Sequence, residues 1–212
     1  MTISGPGNWV ANLQRFARDR RAVVEYCELC SIPLPTDHHH LVEPTARRLL
    51  CVCPGCDILL GDLADQKYRR VPRRARMLEN FRLTDAEWDA LGIPIGLAFF
   101  CQETAGGRIL AFYPGPAGPT ESLLELSAWS QLVANNPVLA EHEPDVEALL
   151  VNRIDGAREY YRTPIDRCYA LVGLIRTHWR GVSGGEEAWQ AIGEFMRNLR
   201  QRRGETGAYH RG

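Results

Sequence analysis

The stretch from Cys27 to Cys56, CELCSIPLPTDHHHLVEPTARRLLCVCPGC, places five of the chain's seven cysteines and three consecutive histidines within thirty residues. Two C-x-x-C pairs, Cys27–Cys30 and Cys53–Cys56, are separated by 22 residues. Four thiolates at that spacing can close a tetrahedral metal site, because a two-residue spacer lets one turn aim both sulfurs at a single ion. Pro54-Gly55 suits such a tight turn, since proline fixes φ and glycine relaxes it. The expected ligands are therefore Cys27, Cys30, Cys53 and Cys56, with Zn2+ as the leading ion. Cys51, His40 and His38 are surplus donors, and a mixed set in which one of them replaces a cysteine is the alternative. The histidine run follows a proline-rich loop and reads first as exposed polar chain. A second ion on Cys51 and the histidines is the least favoured arrangement.

Composition places the chain among ordinary globular proteins: 212 residues, 45% hydrophobic and 24% charged. The early crowding of cysteines favours a small module joined to a larger domain. No apolar run approaches the roughly 18 to 20 residues that span a bilayer, and MTISGPGNWVANLQRFARDRR lacks the pattern of a secretory leader. The expected location is the cytoplasm, without membrane contact. Its reducing thiol pool makes clustered cysteines better metal ligands than disulfide partners. Net charge is −1 overall but uneven, with a formal +4 over residues 1–76 and −5 over residues 77–212. Six of the cations lie in KYRRVPRRAR, Lys67 to Arg76, which contains no acid.

Along the chain, Trp9, Leu13, Phe16 and Ala17 predict an amphipathic helix over 8–22. Residues 1–66 are taken as this helix plus the cysteine module, 67–80 as an exposed basic connector, 81–204 as an α+β domain and 205–212 as a mobile tail. Thr84-Asp-Ala-Glu87 is a capping box that opens a short helix ending near Leu91-Gly92. Strand-like runs at 95–102 and 108–114 flank the glycine-bearing loop ETAGG, and a second pair at 146–153 and 158–164 flanks Ile154-Asp-Gly-Ala157. Helices are expected after each pair, at 126–135 and 165–179. This suggests a ββα-ββα duplication, with four antiparallel strands and helices on one face. Trp189, Ile192, Phe195, Met196 and Leu199 form the stripe of a last helix. The segment Tyr113 to Ser122, rich in proline and glycine, reads as an irregular crossover that fixes Glu121 and Ser122 in a loop. Trp129, Trp179 and Trp189 read as core.

Several resemblances attach to these motifs. The Cys53-Pro-Gly-Cys56 knuckle opposite Cys27-x-x-Cys30 resembles rubredoxin, which implies iron and electron transfer at the same four sulfurs. Asp57 stands where rubredoxin normally has glycine. The order C-x-x-C, Asp37-His38-His39, Pro44, C-x-x-C is similar to treble-clef HNH endonucleases, in which paired histidines serve as general base and metal ligand. The family's asparagine would fall near Arg47 or Arg48, and its ligand after the second knuckle is replaced by Asp57. Any relation is thus to a degenerate, non-cleaving form, with nucleic-acid contact through Lys67 to Arg76 as its remaining role.

Over nearly its whole length, through LGIPIGLAFF, AFYPGPAGPTES, NPVLAEHEPDVEALLVNR, TPIDRCYALVGLIR and HWRGVSGGEEAW, the chain resembles an uncharacterised bacterial family, a domain of unknown function. That resemblance implies an accessory role beside nickel–iron hydrogenases, in assembly or electron supply, with a hydrogenase component as protein partner. No phosphate loop, nucleophile elbow or His-Glu-x-x-His occurs in residues 77–212. The expectation is a non-enzymatic, zinc-stabilised interaction protein.

Overall fold

Continuous apolar runs, rather than alternating ones, decide the architecture of the larger part. The computed structural model describes residues 24–61, 67–115, 118–123 and 126–201. The helix expected over 8–22 and the tail 205–212 lie outside them. Strands β5 (Leu97–Glu103) and β8 (Glu147–Asn152) pair at the centre of a six-stranded antiparallel sheet. They are flanked on one side by β6 (Arg108–Gly115) and β7 (Gly118–Leu123), and on the other by β9 (Glu159–Pro164) and β4 (Arg76–Met77).

All six residues of β8 are buried, so successive side chains, which point to opposite faces, must both find apolar cover. Ala98, Phe100, Leu149 and Val151 face one core with Trp88 of helix α2 (Asp85–Ala90) and Leu132 of α3 (Leu126–Asn135). Leu97, Phe99, Ala148 and Leu150 face another with Cys168, Leu171 and Ile175 of α4 (Ile165–His178) and Ile192 and Met196 of α5 (Gly185–Gln201).

The expectation of four strands with helices on one face is therefore corrected: the sheet has six strands and helices cover both faces. A second correction concerns Tyr113 to Ser122, which is a hairpin rather than an irregular crossover, with Tyr113 opposite Thr120 and Pro114 opposite Pro119. The prolines are tolerated because the β5–β6 pairing ends at Phe112, and β7 is an edge that needs no donors on its outer side. This strand, inserted before α3, and the placement of α3 and α4 on opposite faces make the two ββα units inequivalent. Elsewhere the local signals hold. Thr84 and Glu87 cap α2 reciprocally, Gly107 takes φ 57° in the ETAGG turn, and Asp155 and Gly156 take φ 52° and 79° between β8 and β9.

The cysteine stretch builds a separate three-stranded sheet in the order β2-β1-β3, from β1 (His39–Glu43), β2 (Arg48–Val52) and β3 (Arg69–Arg70), followed after β2 by helix α1 (Pro54–Leu60). Residues 67–80, read from sequence as an exposed connector, instead supply β3 to this sheet and β4 to the large one. Four of their six cations are engaged by acids: Lys67 with Glu43 at 3.2 Å, Arg69 with Asp145 at 3.1 Å, Arg70 with Asp57 at 3.0 Å and Arg73 with Asp37 at 2.7 Å.

The small sheet also packs on the large domain. Val42 and Val71 are buried in the α4–α5 core, and Arg47 reaches Glu103 at 2.6 Å. No helix among the described residues is long and apolar enough to cross a membrane. Truncating the fully buried Ile192 to alanine should cost about 3 kcal/mol, whereas Ile58→Ala, on the outer face of α1, should leave the urea midpoint nearly unchanged. Equal shifts for the two would contradict this packing.

Candidate metal centre

The first C-x-x-C pair sits in a tight turn closed by Cys27 N–H to the Ile32 carbonyl at 2.8 Å and Ser31 N–H to the Cys27 carbonyl at 2.7 Å. Ser31 absorbs the reversal at φ 61°. The turn is tied to β2 by Glu28, whose N–H donates to the Cys51 carbonyl (2.9 Å) and whose carboxylate accepts from Cys51 N–H (2.8 Å). The second pair opens α1: Cys53 is its N-cap, with Sγ accepting from Cys56 N–H at 3.4 Å, and Pro54 occupies the first helical position, where its missing N–H costs nothing. Pro54-Gly55 thus begins a helix instead of making a free-standing turn. Gly61 ends the helix where a Cβ would lie 2.6 Å from the Asp57 carbonyl, too close for any other residue.

These two turns bring one sulfur each from Cys27, Cys30, Cys53 and Cys56 within 4.8 Å of one another. Cys30 Sγ and Cys53 Sγ are 3.7 Å apart. A tetrahedron with metal–sulfur bonds of about 2.3 Å has an edge of roughly 3.8 Å, so this separation is that of shared metal ligands and far exceeds a disulfide bond. All seven cysteines are unbridged. Burial raises the Cys27 thiol, but backbone N–H groups of Cys53, Leu29 and Cys30 outweigh it and bring it down to about 6. Burial and then the three neighbouring sulfurs push Cys56 up instead. One thiolate therefore forms readily and opposes the next, an imbalance that a cation at the centre removes. Cys101, raised to about 12 by burial, and Cys168, raised well above its ordinary value by complete burial, lie in the large domain and take no part.

His38, His40 and Cys51, the surplus donors, do not join the four cysteines and converge on one another instead, with one potential ligand atom each within 4.8 Å. The reason is strand alternation. In β1, His39 and Leu41 face the small module, while His40, directly opposite Cys51, faces the large domain together with His38 and Val42. The rings of His38 and His40 are 4.7 Å apart, so the run expected as exposed polar chain is drawn inward at both these positions. His39 turns the other way and lies 3.0 Å from the buried Asp57 carboxylate, which Arg70 also holds.

His38 and His39 thus engage different partners, the Pro35 carbonyl and the Asp57 carboxylate, and Asp57, which stands just after the second knuckle, is held by both His39 and Arg70. The tryptophans, expected as core, are half-buried and pack against the two cores: Trp129 lies 6.3 Å from Phe100, and Trp179 5.7 Å from Trp189. Sequence reasoning missed Asp57, Asp166 and Arg70 as supports of the histidines. Only the partnership of Asp57 had a signal, its place just after the second knuckle.

The arrangement defines a class: an antiparallel α+β domain carrying a small four-cysteine module capable of holding a metal ion. A profile for a family of unknown function (DUF5947) matches residues 26–203, and the chain belongs to that family. No curated protein and no solved structure matches the chain. Asp57→Asn removes the charge that holds Arg70 and His39 while preserving shape; with Arg70 partly exposed, a loss of about 2 kcal/mol in thermal or urea stability is expected. An unchanged midpoint would show that the pair is not held.

Proposed function

We propose that this protein is a non-enzymatic accessory protein whose N-terminal module is held together by one Zn2+ on Cys27, Cys30, Cys53 and Cys56, and which works by docking to a protein partner. The convergence of four unbridged sulfurs at tetrahedral spacing carries the reading. Zinc is favoured because a closed four-thiolate site with a small apolar core needs a structural ion and has no open position for chemistry. Among the described residues the module's own core is Leu34, Leu41, Leu50, Val52 and the two buried cysteines, with a few half-covered neighbours. Metal binding worth about 10 to 16 kcal/mol would therefore dominate its folding.

The order turn, hairpin, helix, with the second cysteine pair in the first turn of the helix, supports a treble-clef arrangement. Tyr26, Ile32, Ile58 and Leu59 are exposed on the module and are apolar side chains it can offer to a partner. A component of a nickel–iron hydrogenase is the partner implied by the family resemblance, and the cytoplasm the compartment. Engagement of Lys67, Arg69, Arg70 and Arg73 by acids argues against a phosphate-binding role for that stretch.

Zinc analysis of the purified protein should find a tetrathiolate-bound ion that Cys27→Ser or Cys53→Ser abolishes, and the protein should be colourless. On chelation, amide exchange should lose protection over 27–60 while β5 and β8 retain it. A red protein with thiolate-to-iron absorption would replace zinc by iron and favour electron transfer, and a module that stays protected without metal would remove the structural role.

A further inference from the structure

Besides the four-cysteine cluster, His38, His40 and Cys51 are the other group of side chains with metal-ligand chemistry that converges among the described residues. Their surroundings are those of a prepared site. His38 Nδ1 lies 3.0 Å from the Pro35 carbonyl, an acceptor only, so the proton sits on Nδ1 and the Nε2 lone pair is free. His40 Nδ1 lies 3.0 Å from Asp166 Oδ2 in the first turn of α4, which fixes the same tautomer. Imidazoles that ligate metals are oriented in this way, by a carbonyl or carboxylate on the far nitrogen.

The consequence for His38 is a conflict unless something fills the site. Its side chain is 6% exposed, and Nε2 is fully buried with no hydrogen-bond partner. A buried polar atom without a partner costs about 1 to 3 kcal/mol, so Nε2 calls for a partner that no protein group supplies and that an ion would provide. Cys51, opposite His40 across the β1–β2 pair, supplies the soft third donor, and Glu25, 3.5 Å from His38 Nδ1, adds negative charge. Beside the histidines lies a polar cavity of about 90 Å³, lined in part by His38, His40, Asp166 and Arg167. It has room for a few water molecules to complete coordination.

We infer that the chain carries a second metal site in which His38 Nε2, His40 Nε2 and Cys51 Sγ bind a divalent transition ion and leave a coordination position open toward this cavity. The ligand set of two imidazoles and one thiolate suits Zn2+, Co2+, Ni2+ or Cu2+ and disfavours Mg2+ and Ca2+. Unlike the closed four-sulfur site, three protein ligands leave a place for water or a small anion. The ion would sit between the small sheet and the N-terminus of α4, joining the module to the large domain. His39, facing the other way, has no part in it.

The inference stands apart from the four-cysteine reading and the two are separable by counting. Full-length protein titrated with Co2+ should bind two ions, one with the intense absorption of four thiolates and one with the weaker charge transfer of a single thiolate. His40→Ala and Cys51→Ser should each remove the second ion alone, with little change in thermal stability of the loaded first site. Asp166→Asn, which keeps all three ligands, should weaken it about 10- to 100-fold. One ion per chain in the wild type, unaffected by these substitutions, overturns the second site, as does a second ion that persists in Cys51→Ser. A single ion lost in Cys51→Ser but kept in Cys27→Ser would uphold this site and remove the four-cysteine one.

Discussion

Strand β1 lies between two cores, and its two-residue alternation governs both the module and the way the module is mounted. Leu41 is completely buried with Cys27, Leu50, Val52 and Cys53 in the small core, while Val42, the next residue, is buried with Leu97, Leu150 and Ile175 in the large one. A shift of one residue in the pairing with β2 would exchange these faces. It would also turn His40 away from Cys51 and Asp166 and separate the turn at Cys27 from the helix that starts at Cys53. Both clusters of metal-ligand residues thus depend on a single register, His40 against Cys51.

The uneven charge along the chain finds its explanation in the same place. The basic first part and the acidic remainder meet across the contact between the two sheets: Arg47 with Glu103 and Glu121, and Arg69 with Asp145. Asp145 is almost fully enclosed, takes φ 67°, and also accepts hydrogen bonds from the N–H and hydroxyl of Thr104 in the β5–β6 turn. One acid therefore fixes a hairpin of the large sheet and the third strand of the small one. Such pairs contribute modestly to stability when partly exposed, but they define orientation. In the tract read from sequence as an exposed basic connector, Arg69 makes this crossing, while Lys67, Arg70 and Arg73 are held by acids of the small module.

Chemically, the two clusters differ in kind. Four cysteines from two turns form a closed set, so an ion held there would have no vacancy and would act on folding. Two imidazoles and a thiolate, held from behind by a carbonyl and a carboxylate, form an open set at a polar cavity. The placement of the open set against α4 connects any event at that position to the helix that covers one face of the large sheet.

Much of this was legible in one dimension because it rests on local chemistry. Spacing grouped Cys27, Cys30, Cys53 and Cys56, whose sulfurs the fold brings within 4.8 Å of one another, since a C-x-x-C turn aims its sulfurs whatever surrounds it, and the strands at 97–103, 108–115, 147–152 and 159–164 follow their apolar runs and turn residues closely. The unbroken burial of β8 has a counterpart in EALLV, which lacks alternation, but the expectation of helices on one face did not draw on it. Three features were decided by tertiary structure alone. The edge strand at 118–123 pairs proline against proline because a sheet edge tolerates missing donors, a condition set by neighbours and not by the segment itself. Arg69, Arg70 and Arg73 are paired with acids up to 76 positions away. And the histidine triplet became two inward residues and one opposed to them because strand pairing, a long-range choice, fixed which side of β1 each would face.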